Sequence, residues 1–163
     1  MRTFQERITT AVSHEQAVAD AIRACGWTVG PFGQALLPGI VRERMKLWDN
    51  LLRHFPDLIA VRERHGPDDT DDGIRLVDAK AGRTDTDNYD FQDRAVLAYQ
   101  RWVLFDIDVW LVFPDLRCAR ASDAWTTPQR RRGHFNGTGS GTAFSLLPKC
   151  DPCVMSLAEG FGP

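Results

Sequence analysis

The chain has 163 residues, of which 43% are hydrophobic and 26% are charged, and its formal net charge is -2. This length and composition fit one ordinary globular domain with a core of its own, and they exclude a chain that is disordered throughout or held together only by disulfides. The net charge does not suggest a nucleic-acid-binding protein, so any surface of that kind must be local.

Neither membrane insertion nor export is expected from the sequence. It contains no apolar run approaching the roughly 20 residues that a membrane-spanning helix needs. The first seven residues, MRTFQER, carry no apolar signal-peptide core. We therefore expect a cytoplasmic protein with no membrane partner, in which Cys25, Cys118, Cys150 and Cys153 are reduced thiols.

The first part of the chain predicts two helices and a strand. Apolar residues at helical spacing in residues 3 to 25 predict a first helix, which Gly26 would end. Residues 27 to 29 predict a short strand before Gly30-Pro31. Residues 40 to 53 are amphipathic and positively charged, and we expect them to form a second helix.

A β-hairpin is predicted next. Residues 57 to 62 and residues 74 to 80 both have the apolar character of strands. The segment between them, residues 66 to 73, is rich in Gly, Pro and Asp and predicts a solvated turn. Two strands joined in this way pair antiparallel.

The remaining elements complete an α/β pattern. Residues 90 to 104 predict a helix, and residues 107 to 113 predict a strand buried on both faces. Residues 128 to 141 predict a loop, and residues 142 to 147 a last edge strand. We therefore predict one domain over residues 1–163, a mixed β-sheet flanked by helices, with a core at about 13–113 and a loop-rich tail of unknown role at 125–163.

Three polar residues are expected to meet at one edge of that sheet. Asp57 opens one strand of the hairpin, while Asp78 and Lys80 close its partner on a single face. Carboxylate oxygens are the ligands that Mg²⁺ prefers, and it commonly takes one or two of them. A lysine beside such an ion can orient the attacking water or stabilise charge on a phosphate.

Pro56-Asp57 followed by Asp78-Ala79-Lys80 resembles the signature of the PD-(D/E)XK nuclease superfamily, whose fold is restriction-endonuclease-like. That family also places an acidic residue on its first helix. Glu15 is the candidate, because it lies within about 60° of Val18 on a helix and so borders the apolar stripe. The order of these residues is most similar to the Holliday-junction-resolvase branch, and the resemblance covers roughly residues 13 to 113.

Two departures from the family pattern are visible. Asp78 occupies a position where Glu is common, although the family accepts either residue. Neither Gln92 nor Gln100 is followed four residues later by Tyr, which argues against the exonuclease branch with its QxxxY pattern.

The resemblance implies a metal-dependent endonuclease that hydrolyses DNA phosphodiester bonds with Mg²⁺ or Mn²⁺. Asp57 and Asp78 would be direct ligands, Glu15 an outer or second ligand, and Lys80 the catalytic cation. The resemblance also implies DNA as the partner and a possible homodimer, and a targeting protein could supply specificity. The alternatives are a catalytically inactive nuclease-fold module that binds DNA or a protein, and a small-molecule hydrolase that shares the spacing by chance.

Several other residues are weaker candidates. Arg130, Arg131 and Arg132 form a basic segment next to Gly133 that could contact phosphates, and ordinary solvated charges are the alternative. Gln34 could face the same site, and His54 either reaches a phosphate or has a structural role. Cys150 and Cys153 have zinc-like spacing that Cys118 and His134 could complete, but without a second ligand pair we expect no zinc.

Overall fold

The structure is a computed structural model that describes residues 4–36, 54–62, 73–80, 86–105, 107–134 and 143–162. The helices are α1 (Phe4–Ala24), α2 (Asp93–Tyr99), α3 (Ala121–Thr126) and α4 (Leu157–Phe161). The strands are β1 (Thr28–Pro31), β2 (Leu58–Val61), β3 (Ile74–Ala79), β4 (Asn88–Gln92), β5 (Asp108–Val112), β6 (Arg117–Arg120), β7 (Arg131–His134), β8 (Ala143–Pro148) and β9 (Met155–Ser156). The helix predicted for residues 40 to 53 lies outside the described residues.

The main sheet is mixed, as the sequence predicted. In the described part of the chain its six strands are arranged in the order β1-β2-β3-β5-β6-β9. Strand β3 runs parallel to β5, while β1, β2, β6 and β9 pair antiparallel with their neighbours. The chain is therefore α/β with helices on both faces of the sheet, and the predicted antiparallel hairpin is the β2–β3 pair.

Each face of the main sheet carries its own apolar cluster. On one face, Val77 packs in a cluster with Val18 and Ile22 of α1 and with Phe161 of α4. On the other face, Leu76 packs in a cluster with residues of α2, α3 and β4. Neighbouring residues of a strand point to opposite faces, so β3 contributes to both clusters.

A second sheet in the described residues has the order β4-β8-β7. The prediction of one helix over residues 90 to 104 is wrong. Its first residues belong to strand β4, helix α2 begins only at Asp93, and a separate 3₁₀ turn follows at Val103–Phe105. Tyr89 and Phe91 are buried while Asp90 between them is exposed, which is the alternation of a strand. The helical spacing that starts at Phe91 concealed this shorter period.

The tail differs from its prediction in two further ways. Arg131–His134, predicted as loop, is an edge strand whose backbone pairs with β8. Strand β8 was predicted as an edge, but it is the central strand of the second sheet because β4 covers its other side. The tail also supplies β9 and α4 to the main sheet and its helical layer, so it is built into the fold.

Helices in the described part of the chain are all too short or too polar to cross a membrane.

Candidate active site at the end of the β2–β3 hairpin

Asp57 and Asp78 lie at the open end of the hairpin, just before β2 and near the end of β3. Leu58 pairs with Val77 in the register, and the Asp57 amide donates to the Val77 carbonyl at 2.8 Å. Asp57 therefore directly precedes the last registered pair on one strand, and Asp78 directly follows that pair on the other. Both side chains line one cavity, and the charge of Asp78 raises the pKa of Asp57, so the structure brings the two carboxyl groups together.

The backbone of the hairpin holds Asp57 in place. Oδ2 of Asp57 accepts a hydrogen bond from the Ala79 amide at 2.9 Å. Asp57 also donates its own amide to β3 and accepts the Phe32 amide at 2.7 Å through its carbonyl. The residue therefore joins three segments of the chain, which fixes the direction of its side chain.

Asp78 is 6% exposed and is contacted from two sides. Its Oδ2 accepts a hydrogen bond from the Tyr99 hydroxyl and forms an ion pair with the Lys80 ammonium. The Lys80 Nζ atom also lies 5.9 Å from the centre of the Tyr99 ring. Lys80 comes two residues after Asp78 and faces the same side of the sheet, as the sequence predicted.

The electrostatic state of the pair is unusual for aspartates. Burial raises the pKa of Asp57 to about 8, and the neighbouring charges of Asp78 and Glu15 add to the effect. Burial and the Asp78 carboxylate likewise hold the pKa of Tyr99 well above its ordinary value. Neighbouring carboxylates repel when both are ionised, so the site favours either a proton on Asp57 or a bound cation.

The donor set fits a hard divalent cation. Mg²⁺ is commonly bound through one or two carboxylates, with water and substrate oxygens completing its shell. Asp57 and Asp78 offer two carboxyl groups on one face, and a cation between them would remove their repulsion. These two residues would hold the ion, with Lys80 beside them.

Glu15 is near this pair but does not join it. Burial, followed by the charge of Asp78, raises the pKa of Glu15, and Glu15 in turn raises that of Asp57. Its half-buried side chain is therefore close enough to influence both carboxyl groups. Yet no three His, Cys, Asp or Glu side chains of the described residues are grouped closely enough to hold a metal. Glu15 therefore influences the pKa of Asp57, and its role as a metal ligand stays a prediction.

A cavity of about 360 Å³ opens beside the two aspartates. Asp57, Asp78, Lys80 and Tyr99 all line it, so the candidate catalytic groups face one space. His54, one of the weaker candidates, lines it as well. A substrate phosphate entering the cavity would therefore meet both carboxyl groups and the ammonium.

The second sheet supplies another part of the cavity lining. Asp90 and Gln92 of β4 and Phe144 of β8 face the cavity, and Phe55 approaches it from the segment before β2. Gln92 pairs directly with Phe144 in the register, so the two side chains share a face. Residues of the tail thus help to enclose the site, although the resemblance ended at about residue 113.

Tyr99 is the site residue that the sequence reasoning missed. Helix α2 carries Tyr99 four residues after Ala95, and both residues line the cavity. The QxxxY pattern does not mark this tyrosine, because Ala95 stands where the pattern has Gln. The sequence signal that points to Tyr99 is its place on the helix that follows Asp78-Ala79-Lys80.

The predicted nucleic-acid contacts have different surroundings. The Arg130 guanidinium lies 3.9 Å from the centre of the Trp125 ring and donates to Ser145 Oγ at 2.9 Å. Ser145 Oγ in turn donates to Asp93 Oδ1 at 2.6 Å, so Arg130 is engaged within the fold. Arg131 is exposed. The side chains of Arg132 and Gln34 lie outside the described residues.

All four cysteines are free thiols. Cys118 is buried in the cluster on the α1 face of the main sheet, whereas Cys153 packs against the cluster on the α2 face. Burial raises the pKa of each thiol to about 12. The opposite placement of these two residues gives no support to a shared zinc site, and the absence of zinc stays a prediction.

Comparison with known proteins identifies no relative: no protein-family model, curated protein or solved structure matches the chain. The chemistry of the site is therefore inferred from its own residues.

Proposed function

We propose that the chain is a metal-dependent endonuclease of the restriction-endonuclease-like type that hydrolyses DNA phosphodiester bonds. The observation that carries the proposal is that the Asp57 and Asp78 carboxyl groups line one cavity at the open end of the hairpin, with Lys80 paired to Asp78. The order of these residues in the chain agrees with the resemblance described above. A buried carboxylate pair in a cavity is also a common setting for catalysis.

Each residue has a role that follows from its contacts. Asp57 and Asp78 hold Mg²⁺ or Mn²⁺, and the ion supplies Lewis-acid stabilisation of the phosphate and a more acidic water. Lys80 is a fixed positive charge at the same edge, and its ammonium can donate to a phosphate oxygen. The Tyr99 hydroxyl orients Asp78. Glu15 adds negative charge nearby and so strengthens the preference of the site for a cation.

The surface around the cavity offers one path for a DNA backbone. Asp90, Leu146 and Arg131 pair in one row across the second sheet, so their side chains share a face. Asp90 lines the cavity, and Arg131 at the other end of the row is exposed. A phosphate next to the one being cut could reach Arg131, because arginine is a strong donor to phosphate.

An inactive nuclease-fold module that binds DNA or a protein is the second candidate. One observation favours it: Tyr99 and Lys80 both contact the same Asp78 oxygen, and no third carboxylate completes a metal site within the described residues. In such a module these contacts would be purely structural. Binding to DNA would then not depend on a divalent metal.

The test is cleavage of linear duplex, branched and single-stranded DNA in Mg²⁺, Mn²⁺ and EDTA, by the wild type and by Asp78→Asn. We expect cutting in Mg²⁺ or Mn²⁺, none in EDTA, and none by the variant. DNA binding without cutting in every metal, unchanged in Asp78→Asn, would support the inactive module instead.

Three further proposals rest on the same resemblance or on the sequence alone. A homodimer would let two sites cut two strands, and sedimentation of the purified chain would detect it. A targeting partner protein would supply sequence selection. A cytoplasmic location agrees with the four free thiols.

A further inference from the structure

The part of the cavity away from the aspartate pair has polar groups that the proposed chemistry does not use. Asp90 and Gln92 are both exposed, line the cavity and lie on one face of β4, two residues apart. Neither side chain hydrogen-bonds to another described residue. Gln92 occupies the N-cap position of α2, yet its side chain does not cap that helix. Both polar groups are therefore available to a ligand.

Aromatic rings accompany these groups. Phe144 lies beside Gln92 on the same face of the second sheet, and Phe55 lines the cavity from a different segment. Phe55 is braced by edge contacts with Phe32 and Trp102, whose ring centres lie 5.7 and 5.6 Å from its own. A planar ligand could thus find both apolar faces and polar edges in one cavity.

We propose that this part of the cavity binds one unpaired cytosine or adenine, with the phosphate of the same strand at the aspartate pair. The proposal rests on the proposed function, because that function supplies the neighbouring phosphate. Aromatic side chains stack on unpaired bases. Enzymes that draw a base out of its stack read its edge with polar side chains inside such a pocket.

The polar groups set the base preference. A carboxylate accepts only, so Asp90 suits the amino group of cytosine or adenine and disfavours the keto group of thymine. The Gln92 amide can both donate and accept, and it therefore tolerates either cytosine or adenine. Asp90 would also repel a phosphate inside the base pocket itself, so the phosphate of the unpaired nucleotide stays beside Lys80. The substrate is thus DNA with an unpaired cytosine or adenine at the cleavage position.

Binding without cutting tests the pocket apart from the chemistry. We would measure the affinity of the wild type in EDTA for three fluorescent duplexes that are identical except for one bulged nucleotide: a cytosine, a thymine or an abasic residue. We expect the cytosine bulge to bind about 10-fold more tightly than the other two. Phe144→Ala should remove most of the advantage of the cytosine bulge over the abasic one, because stacking needs a base, and Gln92→Ala should weaken binding of the cytosine bulge. Gln100→Ala is the matched control, because Gln100 is exposed and does not line the cavity.

A further variant tests whether Asp90 is the group that distinguishes cytosine from thymine. Asp90→Asn adds a donor, so it should bring the affinities for the cytosine and thymine bulges close to equality while leaving thermal stability unchanged. Equal wild-type affinities for cytosine, thymine and abasic bulges would overturn the pocket, and so would an unchanged preference in Asp90→Asn.

Cleavage of the same duplexes in Mg²⁺ separates the two proposals. Cutting that ignores the bulge would overturn the base pocket and leave the nuclease intact. A cytosine preference in binding, with no cutting in any divalent metal, would support the pocket and contradict the nuclease.

Discussion

The Tyr99 hydroxyl donates a hydrogen bond to Oδ2 of Asp78 and so joins helix α2 to the end of strand β3. Both residues are buried, with exposures of 3% and 6%. The bond fixes the orientation of one of the two carboxyl groups that we propose to hold the metal.

Tyr99→Phe removes that donor while keeping the ring. Partners that orient metal ligands typically contribute about 10–100-fold to metal affinity or activity, so we expect a loss of that size in Mg²⁺-dependent cleavage. Tyr89→Phe is the matched control. Its hydroxyl also contacts an aspartate, Asp115 at 2.6 Å, but it does not line the cavity. Equal losses in the two variants would contradict a specific role for Tyr99.

The stability of the metal-free protein should fall as the pH rises from about 4 to 8. The pKa of Asp57 is raised from 3.8 to about 8, so the folded protein keeps a proton that the unfolded chain loses earlier. Below pH 4 Asp57 is protonated in both states, so its titration does not lower the free energy of unfolding. Between pH 4 and pH 8 the unfolded state is increasingly favoured, because only in that state has Asp57 lost its proton. Thermal unfolding in EDTA across this range measures the effect.

Asp57→Asn should flatten this pH dependence, and its Tm at pH 8 should exceed that of the wild type by a few degrees. In a chain of this length, each kcal/mol of unfolding free energy shifts the Tm by about 2–4 °C. Mg²⁺ should raise the wild-type Tm at pH 8 but not that of the variant, because a ligand of the folded state stabilises it. Asp87→Asn, at an exposed position, is the control. A wild-type Tm that rises with pH over this range would contradict the assignment.

Arg130 and Arg131 are adjacent in sequence but should respond differently to mutation. Arg130→Ala removes the contacts with Trp125 and Ser145 and should destabilise the fold by about 1–3 kcal/mol. Arg131→Ala should leave the Tm unchanged, weaken DNA binding across sequences, and reduce the salt dependence of binding by about one charge. Unfolding curves and binding at several salt concentrations distinguish the two. Each arginine thereby serves as the control for the other.

The hairpin and its three polar residues could be predicted because the information is local. Asp57 lies just before β2, and Asp78 and Lys80 lie at the end of β3, so all three residues belong to one hairpin. Side chains alternate between the two faces of a strand, and this places Asp78 and Lys80, two residues apart, on the same face. Their contacts with Tyr99 required the position of α2, which depends on packing against the sheet. The prediction of a helix from residue 90 was wrong at Phe91 for a related reason, since β4 is a strand only because β8 arrives from the tail to pair with it.

The second sheet was the least predictable part of the site. Arg131–His134 is an Arg- and Gly-rich edge strand without apolar alternation, so nothing in its own sequence distinguishes it from a loop. Phe144 reaches the cavity only through the pairing of β8 with β4. Asp90 and Gln92 belong to a strand only because of that same non-local pairing, which no short window of sequence reveals.

Lys80 separates catalysis from binding and so tests the central claim most directly. The measurement is the single-turnover rate of DNA cleavage in Mg²⁺, with DNA affinity at the same fixed salt, for the wild type, Lys80→Ala and Asp78→Ala. Lys80 is not a metal ligand, so its loss should lower the rate by about 10²–10³-fold and the affinity far less, because phosphate contacts over a wide surface dominate DNA binding. Asp78→Ala should abolish cutting and lower the affinity for the metal. Cleavage by Lys80→Ala at the wild-type rate would contradict the account.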